Sequence, residues 1–188
     1  MKLARINTGL LLAIVLINAY VIVMPFLPAL FFKAEKHSTV KQLQQKVSSK
    51  PGPITANAET LIVPSMALDA PVNEGKTIAT LRQGLWRLPY TSTPDKGGNT
   101  VIVAHRFTYT NPRGMFYHLD QVHVGDQIAV LWHGKKYVYK TTTTEVVPPT
   151  EVSVEAPTAD SILTLYTCTP LWNPKDRLVV TASLESVQ

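Results

Sequence analysis

One cysteine, Cys168, closes the run SILTLYTC in this 188-residue chain, and it has no partner for an intramolecular disulfide. A lone cysteine is most often a small buried hydrophobe. This one ends an apolar strand-like run and meets the Pro-containing loop TPLWNP, a position at a rim where a thiol is reachable. A catalytic thiol needs a group that moves a proton and a donor for the oxyanion. His105 closes TVIVAH in the same way, and Arg177 opens RLVVTASL nine positions after Cys168, close enough for the loop to fold the guanidinium back beside the thiol. Taken singly, His105 is a solvated strand end and Arg177 a surface charge. As a set they are a nucleophile, an acid/base and an anion stabiliser.

The elements that position these residues are short runs rich in β-branched side chains. LIVP (61–64), TVIVAH (100–105), QIAVLW (127–132), KYVYKTTTTEVV (136–147), SILTLYTC (161–168) and RLVVTASL (177–184) read as strands, with HGK (133–135) a hairpin turn. Only TIATLRQGL (77–85) and GMFYHLD (114–120) invite short helices. Six strands without a βαβ rhythm predict an all-β domain, an antiparallel barrel or sandwich.

Upstream, residues 8–32 carry no charge and are long enough to cross a bilayer as one N-terminal transmembrane signal-anchor. The stretch exceeds the apolar region of a signal peptide, and Pro25 and Pro28 predict a kink near its far end. Residues 1–7 then form a short N-terminal tail, 33–58 a polar stalk stopped by Pro51 and Pro53, and 59–188 the domain that carries Cys168, His105 and Arg177. Lysines follow the apolar segment as well as precede it, so flank charge alone leaves the topology open. The +5 net charge and pI of 9.3 do not point to nucleic acid, because Lys2, Arg5, Lys33 and Lys36 against Glu35 supply three of the five charges beside the membrane segment. His118, His123 and His133 lack metal-ligand spacing, so neither metal nor cofactor is expected. Trp172, between Cys168 and Arg177, is a candidate lining of a substrate groove.

These residues resemble the sortases, cysteine transpeptidases of Gram-positive-type cell surfaces. The Thr-Leu-x-Thr-Cys strand followed by an arginine opening the next strand matches Thr164, Leu165, Thr167, Cys168 and Arg177. NTVIVAHRF matches the family's histidine strand, with Ala104 where a glycine is usual. IVPSMALDAPVNEG, GLWRLPYTSTPDKGG and MFYHLDQVHVGDQIAV extend the similarity over residues 61–184. The resemblance implies a sortase-type eight-stranded β-barrel with short helices, facing outward from the cell membrane on a single-pass anchor. It implies that Cys168 attacks the Thr-Gly bond of a C-terminal LPxTG-like sorting signal, that His105 moves the proton and that Arg177 stabilises the oxyanion. Thr167 and Trp172 become substrate contacts. The partners implied are surface proteins bearing such a signal and a peptidoglycan-precursor or pilin amine.

Pro170 and the Cys-to-Arg spacing resemble both class E housekeeping sortases and class C pilin polymerases. The missing Asp-Pro-aromatic lid and missing second apolar segment favour the housekeeping type. Papain-like proteases place Cys before His, and L,D-transpeptidases require a Ser-x-Gly-Cys context that Cys168 lacks. A non-catalytic membrane-tethered β-domain, a decayed sortase, is the alternative outside enzymes.

Overall fold

The computed structural model describes residues 2–49, 59–108 and 115–188. Eight strands close into one barrel: β1 (Thr60–Val63), β2 (Leu68–Glu74), β3 (Leu85–Arg87), β4 (Asn99–Val103), β5 (Gln127–Trp132), β6 (Lys135–Val147), β7 (Ile162–Thr169) and β8 (Asp176–Val187). Their order around the barrel is β1-β2-β3-β4-β7-β8-β6-β5. The β2–β3 and β4–β7 pairs are parallel and the others antiparallel. All six sequence-predicted strands are present. The HGK turn joins β5 to β6 with positive φ at both His133 and Gly134, the backbone that matches the twist of a two-residue hairpin.

Period-2 alternation builds the interior. Leu61 and Val63, Ile102 and Ala104, Ile128 and Val130, Leu163 and Leu165, and Leu178 and Val180 point inward around Phe116, Leu119 and Trp132. Outside, Trp86, Leu88, Val101 and Val103 form a second apolar cluster, with Tyr166 packed against it. The segment expected to be helical at 77–85 is a 3-10 turn at Ile78–Gln83 that gives way to β3, and the described residues 115–120 of the one at 114–120 hold only the start of a 3-10 turn at Leu119–Gln121.

The N-terminal part is helical from α1 (Lys2–Val23) through one 3-10 turn at Met24–Phe26 into α2 (Leu27–Ser48). Pro25 and Pro28 lack the amide protons an α-helix needs, which tightens the chain there. Asn7–Leu30 is a candidate transmembrane span. The stalk drawn at 33–58 needs correcting over 33–48. That stretch is helix, and its last turns lie on the barrel: Leu43 and Val47 are buried with Ile62, Ala129 and Val138. The contact is pinned by polar groups. The buried Lys136 ammonium donates to the carbonyls of Val47 at 2.8 Å, Lys46 at 3.3 Å and Ser49, orphan acceptors at a helix C-terminus. Lys46 pairs with Asp69 at 2.6 Å. Polar composition suggested a stalk, and one i, i+4 apolar pair with a distant lysine docks its helix on the barrel, whereas the stop expected at Pro51 and Pro53 lies outside the described residues.

Candidate active site

The backbone ladders decide where the three chemically complementary residues meet. Cys168 on β7 stands opposite Arg177 on β8. On the other side β4 runs parallel to β7 with Val103 opposite Tyr166, and the Ala104 amide donates to the Tyr166 carbonyl at 3.4 Å. Carried two residues further, that register sets His105 beside Cys168. Alternation fixes the face as well. The inward residues of β4, β7 and β8 are Ile102, Leu163, Leu165, Leu178 and Val180, with Ala104 just past β4. His105, Cys168 and Arg177 therefore project outward, in one row across three adjacent strand ends.

Each member of the row is held differently. Cys168 is exposed. His105 is half-buried, and desolvation alone pulls its pKa below the ordinary imidazole value. Arg177 is sheltered by two groups from neighbouring elements: its guanidinium lies 4.9 Å over the ring of Tyr166, and Nη1 is 3.5 Å from Glu155 Oε1. That separation is an ion pair without a hydrogen bond, and Nη1 is buried with no hydrogen-bond partner among the described residues. Glu155, in the 3-10 turn Val152–Glu155, also accepts from the hydroxyls of Tyr166 at 2.6 Å and Tyr90 at 2.8 Å. Burial, then the bond to Glu155, pushes the Tyr166 phenol upward, so it stays a neutral donor.

Arg106 fastens the loop that follows His105. It donates to Thr169 Oγ1 at 2.6 Å and the Tyr117 carbonyl at 3.4 Å, and it pairs with Asp120 at 3.1 Å. The ends of β4 and β7 are thus tied together one residue beyond His105 and Cys168.

Thr167 and Trp172, the two expected substrate contacts, are not members of the outer row. Thr167 is buried, and its hydroxyl donates to the Ala104 carbonyl at 2.8 Å; it stitches β7 to β4 and does not face the outer row. Trp172 is 55% exposed, with its ring 5.3 Å from that of Phe26 on the N-terminal segment. Among the other histidines, His118 stacks on Phe32 at 3.8 Å, and His133 sits 3.5 Å from Asp95 and 3.8 Å from Glu59. Sequence reasoning missed Glu155, Tyr166 and Arg106. Tyr166 fills the variable position of the Thr-Leu-x-Thr-Cys strand and Arg106 follows His105, so both had a local signal. Glu155 had none.

The family model for the sortase domain matches residues 61–185. The chain belongs to the sortase family. Sortase A of Listeria monocytogenes superposes with a TM-score of 0.63 at 27% identity, over 71% of this chain and 90% of that one. Sortase C-1 of Actinomyces oris gives 0.62 at 27%, over 77% and 80%. Sortase E1 of Streptomyces coelicolor, whose structure holds a tripeptide in its active site, gives 0.60 at 26%, over 70% and 89%. A comparison with curated proteins finds no match. The closed eight-stranded barrel is the sortase fold, and sortases are transpeptidases that act on a sorting-signal polypeptide and an amine acceptor.

Proposed function

We propose that this sortase cleaves a C-terminal LPxTG-like sorting signal through a thioester on Cys168 and joins the substrate protein to a cell-wall amine. The observation that carries the reading is the outward row of His105, Cys168 and Arg177 at three adjacent strand ends. Cys168 Sγ, as thiolate, attacks the threonine carbonyl carbon. The carbonyl electrons move onto oxygen, where the Arg177 guanidinium donates. Collapse breaks the Thr-Gly bond, and protonated His105 gives its proton to the departing glycine amine. The acceptor amine then attacks the thioester, loses a proton to His105 and expels the thiolate, so the enzyme is regenerated with one amide broken and one made.

Desolvation of His105 suits this work. An imidazolium with a depressed pKa is a stronger acid toward the leaving amine, although a smaller fraction is protonated at neutral pH. Residues 8–32, which overlap the candidate span Asn7–Leu30, serve as a single-pass membrane anchor, with residues 1–7 cytoplasmic and the barrel outside. The housekeeping role of class E is favoured over pilin polymerisation because no Asp-Pro-aromatic triplet stands ahead of β1 in the sequence.

The test is mass spectrometry of the acyl-enzyme formed with a sorting-signal peptide. Cys168→Ala removes the adduct, and His105→Ala slows turnover by ~10²–10⁴-fold, the usual worth of a general acid/base. Arg177→Lys also fails, because an ammonium does not reproduce the planar guanidinium's paired bonds. An adduct on Cys168→Ala, or full activity in His105→Ala, refutes the assignment.

A further inference from the structure

The N-terminal segment does not leave the barrel at a random point. Pro25 and Pro28 are buried, the Tyr117 hydroxyl donates to the Pro25 carbonyl at 2.5 Å, and Phe26 meets Trp172. Ala29 and Phe32 wall a cavity of about 440 Å³ with Arg106, Tyr117, His118 and Leu171. All of the barrel residues in these contacts lie in the loops that carry His105 and Cys168 outward. Yet Pro25, Phe26 and Ala29 belong to the apolar span Asn7–Leu30.

Length sets the depth of this contact. A hydrocarbon core of ~30 Å takes about 20 helical residues at 1.5 Å each, and a count from Asn7 reaches its outer boundary near Phe26. Whatever touches Phe26 therefore sits at that boundary. The side chains found there are those of a membrane–water interface: Trp172 and Tyr117, rings with one polar atom, beside exposed Phe26 and Leu30.

We propose that the Cys–Arg loop is seated in the outer surface of the phospholipid bilayer that holds the anchor, with Trp172 as its interfacial side chain. The inference rests on the anchor reading above. Trp172 then serves the membrane instead of lining a substrate groove, and Cys168, four residues earlier, opens onto the plane where a membrane-held substrate emerges.

Trp172 reports its own depth, because Trp86 and Trp132 are buried at 8% and 1% exposure. The full chain carrying Cys168→Ala is reconstituted into phosphatidylcholine vesicles, with and without Trp172→Phe, and the difference spectrum isolates Trp172. Lipid brominated high on the acyl chain should lower that emission at least twofold, while aqueous acrylamide leaves it nearly unchanged. Quenching by acrylamide without quenching by bromolipid overturns the proposal, because the loop then faces water. Quenching by neither overturns it as well, because protein alone then covers the ring. Flotation with the vesicles separates the two readings. A chain that floats but shows no lipid quenching loses only the seat, whereas a chain that does not float loses the anchor and the seat together. Transpeptidation is judged on neither result, since the protein lacks the thiol.

Discussion

Glu155→Gln isolates what holds Arg177. The carboxylate lies 3.5 Å from Nη1, with side chains 15% and 24% exposed respectively, so the pair is neither a solvated surface bridge nor a dry one. At an effective dielectric of ~20 the gross attraction is roughly 332/(20 × 3.5), or about 5 kcal/mol. Desolvation and the missing hydrogen bond cancel most of it, and between the ~0–1 kcal/mol of exposed pairs and the ~3–5 kcal/mol lost on breaking a buried one, about 1–2 kcal/mol is reasonable. At about 1.4 kcal/mol per decade, kcat/KM for a fluorogenic sorting-signal peptide should fall roughly 5- to 30-fold. Gln keeps the shape and one acceptor oxygen for Tyr166 or Tyr90, so the change in charge dominates. Tyr166→Phe removes the bond that fixes Glu155 while leaving the ring beneath the guanidinium. Because both changes act on Arg177, the double variant should lose less than the two single losses added. Alkylation of Cys168 by a small reagent should keep its wild-type rate in all three. If Glu155→Gln raises activity, the carboxylate dampens the Arg177 charge instead of aiming it. If losses are additive, the two side chains do not act through one guanidinium; either result refutes the reasoning.

Two further outcomes follow from buried titratable groups. Lys136→Met keeps the aliphatic stem but strands the α2 carbonyls that Nζ satisfies. Charged bonds of ~1.5–3 kcal/mol each, set against several kcal/mol for burying the ammonium, leave a net loss of about 1–3 kcal/mol. Hydrogen exchange should show residues 44–49 losing protection while peptide cleavage persists; unchanged protection would refute the cap. His105 has a folded pKa below its unfolded value of 6.5, so the unfolded chain binds the extra proton first as pH falls. Its contribution to stability is complete above pH 6.5 and is lost as pH drops toward the folded value. His105→Gln should therefore flatten the acid side of a denaturant-midpoint profile, and a profile unchanged by the substitution would show that the imidazole is not desolvated.

The six strands legible in the sequence are those whose alternation survives into the barrel. β2 and β3 were hidden for physical reasons. LDAPVNE buries only Ala70 and Val72, and its Pro71 sits where the ladder to β1 ends and that to β3 begins. LWR is three residues long and is held by its neighbours. Glu155 was invisible because its partners, Tyr90, Tyr166 and Arg177, are brought to it only by barrel closure. The docking of α2 was hidden for the same reason, since Lys136 lies about ninety residues from the carbonyls it caps.

The row of His105, Cys168 and Arg177 was legible because it obeys the same arithmetic that builds the core. Once Leu163 and Leu165 point inward, Cys168 must point outward, and its ladder partner Arg177 must share its face. That arithmetic also decides against Thr167. Its neighbour in sequence is the thiol, but a period of two sends adjacent side chains to opposite faces, so a residue beside an outward cysteine belongs to the interior. There its hydroxyl meets the Ala104 carbonyl one residue before His105. The inward threonine and the inward alanine thus brace from inside the two strand ends that present histidine and cysteine outside. Spacing identifies which side chains share a face; contiguity within a motif does not.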